Sequence, residues 1–275
     1  MKLVSFSGAD GLVHPGVLRE DNSVVDLTAS GYSDALSVIA AGLSTGPAGP
    51  AIPADQVRLH APISNPPRVF AIGLNYRDHA IESKMAIPTT PVVFFKLTTA
   101  IIGPGEPIVL PSNSNEPDYE AEFAFVIGKG GYRIPASAWR DHVYGYTIVN
   151  DVSARDIQLA TSQWTMGKSF PTFCPLGPAI VTADEIADPH QLNISLTIDG
   201  VVHQNSNTRE LIFKIPVLIE HLSSITPLLP GDVVSTGTPY GVGLGRTPKR
   251  WLKPGETVCI TVEGLGSLTN PVIAE

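Results

Sequence analysis

Three carboxylates carry the first chemical signal in this chain. In Asp118-Tyr119-Glu120-Ala121-Glu122-Phe123-Ala124-Phe125-Val126-Ile127, the strand period of two puts Glu120, Glu122, Ala124 and Val126 on one face. Tyr119, Ala121, Phe123, Phe125 and Ile127 fall on the other. Both faces turn apolar toward the C-terminal end, which predicts a strand buried on both sides with two glutamates at its mouth. Like carboxylates held side by side there repel and raise each other's pKa unless a cation lies between them. Taken alone, the Glu-x-Glu pattern also reads as an exposed edge strand paired with Lys or Arg. A second segment adds weight to the metal reading. The strand-like run 143–149 ends in Asn150-Asp151-Val152-Ser153-Ala154-Arg155-Asp156, so Asp151 is expected at a strand end where the chain turns into a helix, with Ser153 as its cap. Three carboxylates without a histidine make a hard, all-oxygen donor set, suited to Mg²⁺ or Mn²⁺, with Ca²⁺ as a further option, and poorly suited to Zn²⁺ or copper. Octahedral coordination would leave positions open, and a 2-keto acid can fill two neighbouring ones through its carboxylate and keto oxygens.

Other residues have spacings with chemical content. His79 and Glu82 share a face if they lie on a helical turn, where the carboxylate can orient the imidazole; a surface His beside a Glu is the plainer alternative. Arg155 and Gln158 share a face of the short helix after Asp151. There the guanidinium can clamp a substrate carboxylate or pair with Asp156 or Glu122. Lys96 ends the apolar run Val92-Val93-Phe94-Phe95, from which it can reach substrate or pair with a ligand carboxylate. Thr238 lies in a Gly- and Pro-punctuated loop whose hydroxyl and backbone N–H groups can bind an acid end. Gly241-x-Gly243-x-Gly245 has the wrong spacing for a dinucleotide fingerprint, and no nucleotide role is assigned to it. Cys174 reads as a small core residue.

The elements that must position these groups are mostly strands. With 43% hydrophobic and only 16% charged residues, and 25 each of Gly and Pro in 275, the composition favours a loop-rich, mainly β (α+β) protein with a few short helices. Strand-like runs fall at 2–6, 16–20 and 24–27, followed by a short helix at 34–41. Residues 42–53, rich in Gly, Ala, Ser and Pro, read as a surface linker. A small N-terminal β-rich domain over 1–60 and a main domain over 66–275 are expected, with the boundary between 43 and 67. The main body alternates turns with runs at 69–72, 92–96, 108–110, 119–127, 143–149, 179–182, 192–198, 233–236 and 258–262. Asp199-Gly200 marks a hairpin, and the clearest helix is 216–223. The net charge of −8 includes no basic run beyond Lys249-Arg250, so no nucleic-acid partner is expected. Two cysteines without motif spacing, and no apolar run of the roughly 18–20 residues a span needs, predict a soluble, cytoplasmic protein with no membrane partner.

Six ordered segments resemble the fumarylacetoacetate hydrolase family over nearly all of residues 69–272. They are Gly73-Leu74-Asn75-Tyr76-Arg77-Asp78-His79, Asp118-Tyr119-Glu120-Ala121-Glu122, Asn150-Asp151-Val152-Ser153-Ala154-Arg155-Asp156, Gly167-Lys168-Ser169-Phe170 with Thr172-Phe173-Cys174-Pro175-Leu176-Gly177-Pro178, Thr236-Gly237-Thr238-Pro239, and Gly241-Val242-Gly243. The resemblance implies a mixed, rolled β-sheet body with a metal site, a small N-terminal domain and a homodimer. It implies Glu120, Glu122 and Asp151 as metal ligands, His79 with Glu82 as a catalytic dyad, and Lys168, Arg155 and Gln158 along the substrate site. Trp164 and the stretch Trp251-Leu252-Lys253-Pro254-Gly255 are most similar to the branch called domain-containing protein 2. The fumarylacetoacetate hydrolases proper add a carboxylate ligand just before the catalytic His, where this chain has Ile72-Gly73-Leu74-Asn75. Its substrate is therefore expected to be another small keto acid. The leading expectation is metal-dependent hydrolysis of a carbon–carbon bond in an acylpyruvate-like 2,4-diketo acid, with His79 activating water and Lys168 helping to stabilise the departing enolate. The residues 83–91 are expected to form a lid. The alternatives are enol–keto tautomerisation or decarboxylation of oxaloacetate, isomerase or lyase chemistry on a sugar- or aromatic-catabolite-derived keto acid, and a non-enzymatic metal-binding module.

Overall fold

A computed structural model describes residues 1–47 and 49–275 of the chain. The fold is mainly β with few helices, and its largest sheet runs in the order Ala51–Pro53, Ser23–Asp26, Val13–Leu18, Lys2–Ser7, Cys174–Thr182, Val143–Asn150, Ala121–Ile127, Val233–Ser235, Val69–Gly73 and Val92–Lys96. Most pairs are antiparallel, but Val233–Ser235 runs parallel to Val69–Gly73, so the sheet is mixed. A second sheet of five strands takes in Asn193–Ile198, Val201–Asn207, Thr257–Val262, Gly266–Ala274 and Ile108–Leu110.

The strand that carries the glutamates is buried along its whole length, from Ala121 to Ile127. Its two faces feed different cores, as the period of two requires: Phe123, Phe125 and Ile127 belong to the larger apolar cluster, Ala124 and Val126 to a second one. Burying each of these phenylalanines contributes about 1.5–3 kcal/mol, so the register of this strand is held firmly. A slip of one residue would exchange the two faces. Ladder pairing starts at Ala121, one residue after Glu120; the Glu120 N–H is taken by the Asn150 side chain and its carbonyl accepts from Asp151 N.

Four expectations change in detail. The segment read as linker contributes a strand, Ala51–Pro53, that pairs with Ser23–Asp26, and Arg58–His60 pairs with Lys2–Ser7. Edge pairing uses backbone groups alone, so composition does not announce it. Ser153 is no helix cap: it lies in a two-residue strand against Pro117–Asp118, its hydroxyl donates to the Asp151 carbonyl, and the helix begins later, as Arg155–Gln158. The strand Gly266–Ala274 escapes sequence reading because Gly, Asn and Pro interrupt it; its inward Asn270 donates to the carbonyls of Gly103 and Glu106. The helix at Ile215–Ile225 extends past the expected end at 223. The turn at Asp199-Gly200 has positive φ at both positions, 50° and 80°, as a two-residue hairpin demands. Among the described residues no helix is long and apolar enough to cross a membrane.

Candidate active site

The antiparallel pairing of Ala121–Ile127 with Val143–Asn150 sets Glu122 opposite Val149 and Ala121 opposite Asn150. Glu120 and Asp151 therefore meet where the two strands end. Glu120, Glu122 and Asp151 are all buried, and each offers an oxygen within 4.8 Å of the others. Their surroundings differ. Lys168 Nζ donates to Glu120 Oε2 and Asp151 Oδ2, both at 2.6 Å; Arg155 Nη2 donates to Glu120 Oε1 at 2.5 Å; Lys96 Nζ donates to Asp151 Oδ1 at 2.5 Å. Glu122 has no cationic partner among the described residues, and its Oε2 accepts from Ser235 Oγ at 2.5 Å and from Gly237 N at 2.9 Å.

This asymmetry sets the electrostatics. Burial alone would raise the Glu120 pKa, but the charges of Arg155 and Lys168 outweigh it and hold the carboxyl below its ordinary value. At Glu122, burial is reinforced by the charges of Asp151 and Glu120, and the carboxyl is pushed up to about 8. Burial works against the Lys168 ammonium, yet Asp151 and Glu120 keep its pKa above the usual value. Asp118 adds a fourth carboxylate: it accepts from Arg155 Nε at 2.8 Å and from the backbone N–H groups of Tyr119, Gly243 and Leu244.

The donor set fits a divalent cation. Counting Asp118, Glu120, Glu122 and Asp151 against Lys96, Arg155 and Lys168 leaves one negative charge in excess. Glu122 is the uncompensated member. A divalent ion among the three oxygens would relieve its desolvation and turn the local charge positive, which suits an anionic substrate.

His79 and Glu82 lie on the short helix Arg77–Glu82, with His79 Nδ1 3.1 Å from Glu82 Oε2. Since Nδ1 faces the carboxylate, Nε2 is the nitrogen free for substrate. The other Glu82 oxygen accepts from Gly241 N at 2.9 Å. His79, Glu82, the carboxylate triad, Arg155, Gln158, Lys168 and Thr238 all line one cavity of about 720 Å³, closed in part by Phe94 and Trp164 and reached by Ser83, Lys84 and Met85. Gln158 Oε1 accepts from Arg155 Nη1, and Thr238 Oγ1 accepts from Gln204 Nε2.

Of the two roles expected for Lys96, reach to substrate is corrected, and pairing with a carboxylate of the triad is found. Lys96 does not line the cavity: its fully buried ammonium is spent on Asp151 and on the carbonyls of Val152 and Lys168, so it braces the carboxylate from behind. Arg155 pairs with Asp118 and Glu120, neither of the two partners expected for it. Sequence reasoning passed over Asp118, Ser235 and Gln204, which hold Arg155, Glu122 and Thr238. Asp118 lies in the quoted motif, but two of its partners, the Gly243 and Leu244 N–H groups, come from a loop more than a hundred residues later. The glycines set aside as a failed nucleotide motif also belong here, Gly241 and Gly243 through their N–H groups and Gly245 by giving Glu82 room.

Comparison with known proteins agrees with this geometry. The family model described as "Fumarylacetoacetate (FAA) hydrolase C-terminal" matches residues 68–273. A protein of Xenopus laevis named oxaloacetate tautomerase fahd2, mitochondrial, is 42% identical across 99% of this chain and 90% of its own length. A solved fumarylacetoacetate hydrolase from Exiguobacterium antarcticum is 35% identical and superposes with a TM-score of 0.91, covering 100% of both chains. A maleylpyruvate hydrolase from Sphingobium sp. SYK-6, solved with manganese(II) and pyruvate, is 29% identical with a TM-score of 0.83 and covers 100% of this chain and 99% of its own.

Proposed function

This chain belongs to the fumarylacetoacetate hydrolase family, in its domain-containing protein 2 branch, and we propose that it is an oxaloacetate tautomerase that interconverts the enol and keto forms with a divalent metal ion. The observation that carries the reading is a single cavity lined both by the His79–Glu82 pair and by the carboxylate triad. The named activity of the Xenopus relative supports tautomerisation among the reactions such a cavity allows.

Glu120, Glu122 and Asp151 would hold the ion, Mg²⁺ or Mn²⁺ on the chemistry of the donors. When bound, such an ion supplies a Lewis-acid charge for the 2-keto acid end of the substrate and favours the enolate. The chain's own residues do the rest. Arg155 and Lys168 offer positive charge to the substrate's carboxylates along the cavity wall, and Thr238 offers a hydroxyl to an acid end. His79 delivers a proton from Nε2 to carbon 3 of the enol and removes it in the reverse direction, while Glu82 stabilises the imidazolium through Nδ1–H. The enol O–H proton is taken up by His79 Nε2, which makes the imidazolium, and Nε2 then passes a proton to carbon 3, so protons balance and the step is an isomerisation that consumes no water. Lys84 and Met85, at the start of the proposed lid, border the cavity from which water has to be kept.

Hydrolysis, the leading expectation from sequence, becomes the second reading; the manganese- and pyruvate-bound maleylpyruvate hydrolase favours keeping it. In that case His79 would activate water instead of protonating carbon. Mixing the full chain with Mg²⁺ and freshly dissolved enol-oxaloacetate, and then with acetylpyruvate, decides between them. Faster loss of enol absorbance without pyruvate release supports the tautomerase; pyruvate from acetylpyruvate alone supports the hydrolase.

A homodimer is part of the proposal, supported by the terminal strand Val92–Lys96 of the large sheet, which leaves Val92, Phe95 and Leu97 exposed. Light scattering on the purified chain tests it. The cytoplasm is the compartment proposed from composition, whereas the Xenopus relative is named mitochondrial; fractionation separates the two.

A further inference from the structure

We propose that the Tyr119 hydroxyl is a positioning group that holds the His79–Glu82 pair in register with the carboxylate strand, acting through Gly241. The inference rests on His79 and Glu82 being the proton-transfer pair. Tyr119 immediately precedes Glu120, and it is fully buried. Its hydroxyl reaches a cage on the far side: Gly241 O at 3.1 Å, His203 Nδ1 at 3.1 Å and Arg246 Nε at 3.1 Å.

The donors and acceptors of this cage can be assigned one by one. A neutral phenol has one proton and two lone pairs. Arg246 Nε can only donate, to the Tyr119 oxygen at 3.1 Å and at a longer 3.3 Å to the Gly241 carbonyl, and that carbonyl can only accept, so the Tyr119 O–H is its second and shorter donor. Burial, followed by the charges of Arg250 and Arg246, lowers the His203 pKa to about 4, which makes its ring neutral near pH 7. Its Nδ1–H then fills the second lone pair of Tyr119. Arg246 Nη2 closes the cage on the His203 carbonyl at 2.7 Å.

The other end of Gly241 points at the dyad. Its N–H donates to Glu82 Oε1 at 2.9 Å, and Glu82 Oε2 faces His79 Nδ1 at 3.1 Å. Gly241 has a φ of 98°, and a Cβ there would fall 2.2 Å from the His203 carbonyl oxygen, so the residue is confined from both sides. His79 and Glu82 ride on a six-residue helix outside the sheet. Tyr119 thus joins two parts of the site that are distant in sequence: the strand whose next residue belongs to the carboxylate triad, and the loop that aims the Glu82 carboxylate. Its ring supplies the packing, which leaves the hydroxyl free for this task.

The test is Tyr119→Phe in the full chain with Mg²⁺, run beside His79→Ala. For Tyr119→Phe we expect kcat on enol-oxaloacetate to fall about tenfold with KM within about twofold, because misplacing a reacting group costs rate more than binding. The nitrogen NMR shifts of His79, read without substrate, should show a smaller fraction of the Nδ1–H tautomer. A merely structural role would reduce the yield of folded protein and leave both readouts at wild-type values in what folds. Wild-type kcat and unchanged His79 shifts in Tyr119→Phe, with His79→Ala inactive, overturn the positioning role alone. Activity retained in His79→Ala overturns the dyad reading and this inference with it. If Tyr119→Phe does not fold, His203→Ala removes a donor to the same oxygen; a fall of about threefold in kcat at constant KM is expected there, and no fall overturns the proposal.

Discussion

Gly245 lies so close to Glu82 that a Cβ added to it would fall 2.5 Å from the Glu82 carboxyl carbon. The carboxylate therefore occupies space that only a glycine leaves free, and it is wedged between this residue and the Gly241 N–H. Gly245→Ala should displace Glu82 from His79 and lower kcat about tenfold to a hundredfold with little change in melting temperature. Wild-type kcat in this variant would show that Glu82 has room elsewhere.

His79→Ala and Glu82→Gln separate the dyad from the triad. Turnover should be lost in the first and reduced about a hundredfold in the second, since the amide cannot stabilise an imidazolium. Neither residue touches Glu120, Glu122 or Asp151 through a hydrogen bond in the structure, so Mn²⁺ binding followed by paramagnetic resonance should be unchanged. A parallel loss of Mn²⁺ affinity would contradict the division of labour.

Lys168 is a resident cation on two of the three candidate ligands. Replacing it with Met removes one partner of a buried charge cluster and should destabilise the metal-free chain by about 3 kcal/mol in urea unfolding. The same change removes a competitor for the carboxylate oxygens. Mn²⁺ affinity in Lys168→Met should hold or rise while kcat falls about a hundredfold. Affinity and kcat falling together would instead mean that the lysine organises the ligands.

Glu122 makes the metal-free chain sensitive to pH in a defined direction. Its folded pKa is pushed up to about 8 from an ordinary 4.5, burial being the largest cause. Between those values the folded protein keeps a proton that the unfolded chain has released, so unfolding free energy falls as pH rises through this window. The contribution is complete below the lower value and lost above the upper one. In a chelator, urea midpoints should drop from about pH 5 toward about pH 8. Mg²⁺ should flatten the profile, because the bound ion favours the ionised form, and its binding near neutral pH should release protons measurable by calorimetry in two buffers. A midpoint that climbs across the same window would refute the assignment.

Much of the site was legible because the relevant patterns are local. The alternation along 119–127 predicted two buried faces, and Phe123 and Ala124 do enter different cores. The spacing of His79 and Glu82 lets them share a face if they lie on a helical turn, and the helix Arg77–Glu82 brings them to 3.1 Å. The segments that resemble the family contain all three carboxylates of the triad.

What the sequence determined by itself was the chemistry on offer: an all-oxygen ligand set, an imidazole with a carboxylate one turn away, and a mainly β frame to hold them. Only the tertiary structure decided which charges answer each other. Lys96 withdrew behind Asp151, Arg155 turned to Asp118 and Glu120, and Glu122 was left with a hydroxyl and an N–H. The physical reason is that a buried charge is governed by whatever neighbours the fold supplies. Those neighbours come from other elements, and some, such as Ser235 and Gly237 for Glu122 or Gly243 for Asp118, lie more than a hundred residues away along the chain, where no spacing rule reaches.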